Sequence, residues 1–391
     1  MKKLAIVTTH PIQYNAPLFA LLAKRKKIHI KIFYTWGEAV LENKYDPGFT
    51  KTVEWDIPLL EGYEYSFVDN IAAHPGSHHF KGIDNPTLIK EIELWNADAI
   101  WVYGWSYKSH LKAIRYFKNK IPVYFRGDST ILGRSNILKN IIKKVVFKYI
   151  YQYIDVALYV GTNNKAYYLK YGLKEKQLVF APHAVDNNRF SKISPKEEND
   201  ILRLKNKIGI EKYKMVFLFV GKLEEKKNVS LLLDTFCKVN NPSIGLLIVG
   251  NGILKRDYKN NFKNYNNIHF LDFQNQSIMP VVYRLGDIVV LPSKGTSETW
   301  GLAINEAMAS GRAILASSDC GAAIDLVKDG ENGYIFKSED CKDLELKIQL
   351  FINQENNLSA LGAASQKIIE NWSLDKICEV IEKELNKEEG I

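Results

Sequence analysis

The chain of 391 residues is 46% apolar and 25% charged, with a formal net charge of +9. Length and composition are those of an ordinary globular protein and suggest two domains. The positive charge favours partners that carry phosphate or an anionic membrane surface. No zinc-finger spacing, basic-plus-heptad segment or RNA-binding signature indicates a nucleic acid partner.

Two further features bear on the compartment. The four cysteines lie far apart without a C-x-x-C pair, which is typical of reduced thiols and argues against a disulfide framework or a zinc site. The apolar run 4–7 is too short for a signal peptide. No apolar stretch approaches the roughly 20 residues that span a bilayer. We therefore expect a cytoplasmic protein that is at most peripheral to a membrane.

Residues 1–190 alternate between strand-like and helix-like segments. Strands are predicted at 4–8, 29–34, 99–103, 122–125, 156–160 and 178–181. Helices are predicted at 15–24, 86–95, 107–118, 136–153 and 163–171. The region 36–85, rich in aromatic residues, Gly and Pro, is expected to form loops with short strands at one end of the sheet. Alternation of this kind predicts a parallel sheet with helices on both faces.

Residues 191–213 are polar and predict a linker with a helix from Pro195 to Lys207. The alternation then restarts over 214–371. Strands are predicted at 216–220, 245–249, 269–271, 287–291, 313–316 and 334–336. Helices are predicted at 229–238, 253–262, 279–285 and 301–310, from 340 onward, and at 358–371. The closing helix, predicted at 374–385 within the segment 372–391, is a candidate to cross back to the first domain. The predicted fold class is α/β, with two Rossmann-like doubly wound domains facing across a cleft.

The stretch 297–311 follows a strand and predicts a buried helix from Gly301 to Ser310, capped by Ser297 or Thr299 and ended by Gly311. Glu306 is the only charge in this helix, and a buried carboxylate is costly unless it has a partner. Glu298 precedes it, on the order of 12 Å away if the span is helical. Free N–H groups of the first turn between them form an anion site. This layout suits a nucleotide-sugar, although two glutamates at this spacing also occur by chance.

Two other strand ends carry glycine and lysine. Gly221 permits a tight turn, and Lys222 and Lys227 bracket a loop where open α/β sheets bind ligands. Two ammonium groups there suit a diphosphate leaving group, while plain solvated lysines are the alternative. Gly250 ends the next strand and allows close approach of a ligand. Lys255 occupies the third glycine position of G-x-G-x-x-G, which argues against a dehydrogenase.

These motifs together resemble glycosyltransferase family 4, the group 1 retaining enzymes of the GT-B fold. The resemblance covers about residues 215–340 and lies in order and spacing. Its residues are Gly221-Lys222-Leu223 with Lys227-Asn228, Val249-Gly250-Asn251-Gly252, Pro292-Ser293 with Glu298, Gly301 and Glu306-Ala307-Met308-Ala309-Ser310-Gly311, and Asp329-Gly330 with Asn332-Gly333-Tyr334.

The resemblance implies a role for each matching position. Glu306 would hold the nucleotide ribose, and Glu298 would contact hydroxyls of the donor sugar. Lys222 and Lys227 would hold the pyrophosphate; where Lys222 stands the family more often has Arg, which adds a bidentate fork. Backbone amides would meet the phosphates and sugar at Trp300, Gly301 and Leu302.

The N-terminal half resembles the family only in outline, as expected where the acceptor binds. The glycine-rich loop of many members is replaced by His10-Pro11-Ile12-Gln13-Tyr14, and their histidine by Arg126-Gly127-Asp128. His10 and Asp128 follow predicted strand ends and join Glu298 as candidate catalytic residues, with purely structural roles left open for both. The candidate acceptor-side residues are Gln13, Tyr14 and Arg126. His183 is interpreted as a hinge residue.

No two aspartates stand two residues apart, so the D-x-D metal site of the other large glycosyltransferase fold is missing. We therefore expect neither a metal nor another cofactor. The helix 136–153 carries Lys139, Lys143, Lys144 and Lys148 beside apolar residues, as in helices that lie on anionic lipid. An apolar face packed on the core is the alternative.

The prediction is a retaining glycosyltransferase that moves a sugar from a nucleotide-diphosphate donor to a glycan or lipid-linked acceptor in surface polysaccharide assembly, at the inner face of a membrane. Two alternatives stay open: a sugar-nucleotide epimerase of the same fold and an inactive sugar-nucleotide-binding partner subunit. Consumption of donor without acceptor would favour the epimerase. Nucleotide binding without turnover would favour the inactive subunit. The donor base, the sugar and the acceptor are not specified by the sequence.

Overall fold

The computed structural model describes residues 1–38, 44–46, 48–132, 137–295 and 298–387. Within this part of the chain, two parallel β-sheets are each flanked by helices. The predicted α/β class with two doubly wound domains is confirmed.

The first domain contains a parallel sheet of seven strands in the order β5-β2-β1-β6-β7-β8-β9. Its elements are β1 (Lys3–Thr8), α1 (Ala16–Arg25), β2 (His29–Tyr34), β3 (Lys44–Asp46), β4 (Lys51–Val53), β5 (Glu64–Phe67), α2 (Leu88–Leu94), β6 (Ala99–Tyr103), α3 (Lys108–Phe117), β7 (Val123–Arg126), α4 (Ile137–Tyr151), β8 (Val156–Tyr159), α5 (Thr162–Lys170) and β9 (Leu178–Phe180).

Two helices follow, namely α6 (Asn187–Ser191) and α7 (Pro195–Ile208). The helix α7 has clear end signals. Ser194 and Glu197 form a capping box, Pro195 occupies the first turn, and Gly209 ends the helix in the left-handed conformation. Its apolar side chains pack against the core of the second domain, so the segment predicted as a linker lies on that domain.

The second sheet has six parallel strands in the order β12-β11-β10-β13-β14-β15. Its elements are β10 (Met215–Val220), α8 (Val229–Val239), β11 (Ile244–Val249), α9 (Lys255–Asn261), β12 (Ile268–Leu271), α10 (Met279–Tyr283), β13 (Ile288–Leu291), α11 (Leu302–Ala309), β14 (Ala313–Ser317), α12 (Ala323–Leu326), β15 (Gly333–Phe336), α13 (Cys341–Asn353), α14 (Leu358–Ile369) and α15 (Leu374–Leu385).

The central strands are apolar along their whole length because helices cover both faces of each sheet. Every residue of β11 and β14 is buried. In β1 and β2, Ile6 lies beside Ile32, and both side chains are fully buried. A period-2 pattern is therefore absent, and short apolar runs mark these strands.

The helix α15 crosses from the second domain to the first. Its buried face, which includes Ile377 and Ile381, packs into the core formed by β1, β2 and α1. The Arg25 guanidinium donates to both carboxylate oxygens of Glu382, at 2.6 and 2.9 Å. This contact ties the two domains together on the side of the molecule where α15 lies. Residues 388–391 of the predicted closing segment lie outside the described residues.

The region 36–85 contributes more order than predicted. β5 joins the main sheet as an edge strand beside β2, and β3 pairs with β4 in a separate antiparallel hairpin. Among the helices in the described ranges, none combines the length and apolar character that crossing a membrane requires.

Candidate active site

A cavity of about 480 Å³ lies between the two domains, at the carboxyl ends of the parallel strands. Both domains contribute to its wall. Twelve of the residues singled out from the sequence line it: Gln13, Tyr14, Asp128, Gly221, Lys222, Lys227, Gly250, Glu298, Trp300, Gly301, Leu302 and Glu306. The structure thus brings residues from distant parts of the chain to one site.

Glu306 forms the buried end of this cavity. Its side chain lies on α11, and the residue is 3% exposed. Oε2 accepts a hydrogen bond of 2.6 Å from the Tyr283 hydroxyl, and the Tyr14 side chain of the first domain lies near the carboxylate. The other oxygen, Oε1, has no hydrogen-bond partner in the described part of the chain. An unpaired buried acceptor in a cavity wall is available to a ligand hydroxyl.

Burial raises the pKa of Glu306 to about 7. The hydrogen bond from Tyr283, the positive charge of Arg189 and the nearby Tyr14 hydroxyl act in the opposite direction. Arg189 is held in place by a hydrogen bond of 2.8 Å from Nη2 to Gln276 Oε1. The carboxyl group is therefore poised to change its charge near neutral pH.

Glu298 lines the same cavity and is paired. Its Oε2 forms an ion pair with Lys227 Nζ and accepts a hydrogen bond of 2.9 Å from Ser293 Oγ. Both charged side chains are mostly buried. The carboxylate and the ammonium group neutralise each other.

The helix between the two glutamates is shorter than predicted. α11 begins at Leu302, after Gly301 with φ +98°, so the span from Glu298 is not helical and the expected separation of 12 Å loses its basis. The predicted cap by Thr299 is wrong, because its hydroxyl instead donates to Asp128 Oδ2 of the first domain at 3.1 Å. The other candidate cap, Ser297, lies outside the described residues. Gly311 follows the helix with φ +69°, as predicted.

Two glycines let backbone segments approach closely at the site. A Cβ at Gly301 would lie 2.7 Å from Cys320 Sγ and from Leu291 Cδ2, and its positive φ also disfavours other residues. A Cβ at Gly250 would lie 1.9 Å from the carbonyl oxygen of Gly221. The strand ends that carry Gly221 and Gly250 can meet beside the cavity because Gly250 has no side chain.

Lys222 projects from the end of β10 into the cavity wall, where it meets the first domain. Its Nζ lies 3.0 Å from each carboxylate oxygen of Asp46 and 4.8 Å from the centre of the Phe49 ring. Asp46 and Phe49 belong to the hairpin formed by β3 and β4. This part of the wall was not predicted, since the sequence analysis interpreted 36–85 only as loops with short strands.

His183, interpreted as a hinge residue, has two contacts. Its backbone carbonyl accepts a hydrogen bond of 2.9 Å from Asn305 Nδ2, which links the domains as a hinge contact would. Its ring, however, lines the cavity 5.8 Å from the Trp300 ring. Burial and the nearby Arg126 charge lower the pKa of His183 to about 3, so the ring is neutral near pH 7.

Two predicted site residues lie outside the cavity wall. His10 Nδ1 shares a hydrogen bond of 2.8 Å with Thr9 Oγ1, and its ring meets the Trp36 ring edge-on at 5.2 Å. The buried Arg126 guanidinium donates to the backbone carbonyls of Ala181 and Pro182, at 3.0 Å each. Arg126 thereby ties β7 to the exit of the first domain, and its donors are directed at the protein itself.

Several cavity residues were not found from the sequence. They include the aromatic side chains Phe49, Trp55, Phe273 and Tyr283. Aromatic richness in 36–85 was a signal for the first two, but nothing local assigns them to this cavity. Tyr283 lies at the end of a short apolar helix. At such a position the sequence cannot distinguish an aromatic residue of a binding site from one that packs in the core.

Comparison with known proteins agrees with this geometry. Residues 200–368 match the family model of glycosyl transferases group 1. The chain is 26% identical over 191 residues to a sulfoquinovosyl transferase of Arabidopsis thaliana, covering 48% of this chain and 36% of that protein. It is 24% identical over 218 residues to a D-inositol 3-phosphate glycosyltransferase of Rhodococcus jostii, covering 51% and 48%. The chain spans about half or less of the length of these relatives.

Solved structures resemble the whole chain. Anabaena HepE, in complex with UDP and glucose, has a TM-score of 0.70 at 17% identity and matches 99% of this chain and 100% of its own. A sucrose-phosphate synthase from Thermosynechococcus elongatus has a TM-score of 0.72 at 16% identity, with 98% of each chain covered. The predicted GT-B fold and the resemblance to group 1 glycosyltransferases are confirmed.

Proposed function

We propose that this chain, whose residues 200–368 match the family model of glycosyl transferases group 1, is a glycosyltransferase. It moves a sugar from a nucleotide-diphosphate donor to a glycan or lipid-linked acceptor, with retention at the anomeric carbon. The observation that carries the proposal is the free Oε1 of buried Glu306 in a cavity that also holds Lys222 and Lys227. An acceptor for ribose hydroxyls and cations for a diphosphate are thereby combined in one cleft.

The chemistry follows from these charges. When the bond between sugar and diphosphate breaks, negative charge develops on the diphosphate and positive charge on the sugar ring. Lys222, Lys227 and the amides at the start of α11 stabilise the first charge. Glu298 stabilises the second, and Asp128, held by Thr299 across the cleft, is the carboxylate offered by the first domain.

A thermal-shift screen with UDP-, GDP- and ADP-sugars tests this function. A donor at 100 times its dissociation constant adds about 2.7 kcal/mol to the free energy of unfolding, which is readily measured as a rise in melting temperature. The best donor is then incubated with acceptor extracts, and product linkage is determined by NMR. If none of the three donor classes shifts the melting temperature, the proposal is wrong.

We expect turnover to need no divalent metal, because the chain has no D-x-D pair and the cavity provides lysines for the diphosphate. The measurement is the initial rate with and without EDTA after exhaustive removal of metal. An unchanged rate is the expected result. Loss of activity in EDTA and its restoration by Mn²⁺ would contradict the expectation.

Peripheral membrane contact is part of the proposal and rests on α4. Only Phe147, Ile150 and Tyr151 of its described side chains are buried. Five apolar side chains are instead 43–67% exposed, namely Ile141, Ile142, Val145, Val146 and Tyr149. The core-packing alternative therefore does not account for them. An apolar surface with interspersed lysines suits an anionic lipid headgroup region.

Replacing Lys143 and Lys144 with glutamine is expected to weaken binding to phosphatidylglycerol-containing vesicles by about 30-fold, because each lysine near an anionic surface contributes roughly 1 kcal/mol. Sedimentation with vesicles measures this. A control variant with Lys263 and Lys342 changed to glutamine, both exposed on the second domain, loses the same charge and should bind normally. Equal binding of all variants would contradict membrane docking through α4. Lys139 lies where side chains are not described.

A further inference from the structure

The hairpin of β3 and β4 reaches from the first domain onto the second, beside the cavity. Phe49 at its tip meets the Phe273 ring edge-on at 4.7 Å, and Lys51 Nζ lies 4.8 Å from the centre of the same ring. The segment after β4 continues this contact, since the Glu54 carbonyl accepts a hydrogen bond of 2.6 Å from Asn275 Nδ2. The hairpin therefore forms part of the cavity wall.

One contact of this hairpin differs from the others because it forms an ion pair with Lys222, a lysine of the cavity wall. Both carboxylate oxygens of Asp46 lie 3.0 Å from Lys222 Nζ. Asp46 Oδ1 also accepts hydrogen bonds from the backbone amides of Gly48 and Phe49, at 2.8 and 3.1 Å. The turn thus presents a preformed anion to the lysine proposed to hold the donor diphosphate.

The pair is ionised but accessible. Burial alone would raise the pKa of Asp46, yet the hydrogen bonds from Lys222 and from the two amides lower it below its ordinary value. The two side chains remain about one third exposed, at 32% for Lys222 and 30% for Asp46. A partly exposed pair of this kind is weak enough for a doubly charged ligand to replace one member.

Lys227, the other lysine proposed to hold the diphosphate, forms an ion pair with Glu298. Both ammonium groups proposed for the diphosphate therefore face carboxylates of the protein. The two carboxylates differ in origin. Glu298 belongs to the second domain, as both lysines do, whereas Asp46 lies on β3 of the first domain.

We propose that Asp46 is a resident competitor of the donor diphosphate, which must displace it from Lys222 when a nucleotide-sugar binds. This inference rests on the proposed function. Displacement is local, because the contacts of Glu54 and Lys51 to the second domain do not involve Lys222, and Phe49 also meets the Phe273 ring. Asp56 adds a further anchor by accepting a hydrogen bond of 2.9 Å from the backbone amide of Ser277. The hairpin stays attached to the second domain while the Asp46 carboxylate separates from Lys222.

The test is calorimetric titration of full-length Asp46→Asn with UDP, GDP and ADP in parallel, followed by the nucleoside of the tightest ligand. The variant no longer presents a competing anion, so the diphosphate is expected to bind about 1.5- to fivefold more tightly, as suits a partly exposed ion pair. The nucleoside lacks the diphosphate and should bind as it does to the wild type.

Two further variants separate competition from other effects. Asp56→Asn removes an equal charge from the same segment but loosens its anchor to Ser277, and it should leave diphosphate affinity unchanged. In a Lys222→Gln background, which binds the diphosphate more weakly, Asp46→Asn should have no further effect, because the contested cation is gone.

The outcomes are distinct. Unchanged or weaker diphosphate binding by Asp46→Asn overturns the inference while the proposed function stands. An equal gain from Asp56→Asn also overturns it, because general loosening of the hairpin would then explain the effect. Failure of all three diphosphates to bind the wild type refutes the proposed function and the inference with it.

Discussion

Replacing Glu306 with glutamine is expected to weaken nucleoside diphosphate binding by roughly 10- to 150-fold. The wild-type carboxylate offers a buried, unpaired Oε1 to a ribose hydroxyl, and a hydrogen bond to a buried charged group is worth about 1.5–3 kcal/mol. Glutamine keeps the size of the side chain but removes the charge. Ground state and transition state should lose this contact alike, so the donor KM should rise while kcat changes little.

The same glutamate should make binding depend on pH. Its pKa in the free protein is raised to about 7 by burial. If the ligand binds the ionised form, affinity is complete above about pH 8 and falls as the carboxylate takes up a proton, by about tenfold at pH 6. The affinity of Glu306→Gln should lack this dependence on pH. Comparing calorimetric pH profiles of the two proteins with one ligand cancels the titration of the ligand's own phosphates.

Tyr283→Phe is the matched control for this effect. It removes the hydroxyl that donates to Glu306 Oε2 but leaves the carboxylate in place. Loss of a donor to the ionised form should raise the pKa of Glu306, and the pH profile should move to higher pH while affinity at pH 9 is retained. Identical profiles for the wild type and Glu306→Gln would mean that Glu306 does not contact the nucleotide.

Glu298→Gln is expected to lower kcat by roughly 10- to 150-fold with little change in nucleoside diphosphate affinity. Glu298 is assigned to the sugar, where the ring becomes cationic as its bond to phosphate breaks, and a contact that strengthens there lowers the barrier. The free diphosphate lacks the sugar, so calorimetric binding should stay nearly intact. Initial-rate kinetics with the complete donor supply kcat.

Glu225→Gln provides the comparison for Glu298→Gln. Glu225 also pairs with a lysine, Lys294, but its side chain is 77% exposed and lies outside the cavity wall. Its loss should change neither kcat nor binding. If Glu298→Gln instead weakened diphosphate binding while Glu306→Gln lowered kcat, the donor would lie in the opposite orientation. If neither Glu298→Gln nor Glu306→Gln had an effect, the active site would not lie in this cleft.

Much of the fold could be predicted from local patterns. The predicted strands at 29–34 and 99–103 and the helix at 374–385 coincide with β2, β6 and α15. Their apolar runs and periodicities are properties of neighbouring residues, and the surrounding breakers mark their ends. Gly311 and the capping box at Ser194 are equally local signals.

The convergence of the residues proposed for the donor could also be predicted, because the motifs around Gly221, Gly250, Glu298 and Glu306 all lie at strand ends or helix starts of one domain. Parallel strands align their carboxyl ends at one edge of the sheet, so motifs far apart in sequence converge there. The burial of Glu306 followed from the apolar residues around it on α11. The proximity of Tyr14 and Tyr283 to Glu306 could not be predicted in this way.

The sequence by itself therefore determined two doubly wound domains and the glutamates and lysines of the second. Only the tertiary structure decided which first-domain groups face them. Domain packing brings Tyr14 to Glu306 and Asp46 to Lys222, sends Thr299 to Asp128 instead of a helix end, and directs Arg126 to backbone carbonyls. Such contacts depend on how two folded surfaces meet, and no periodicity within either segment records that geometry.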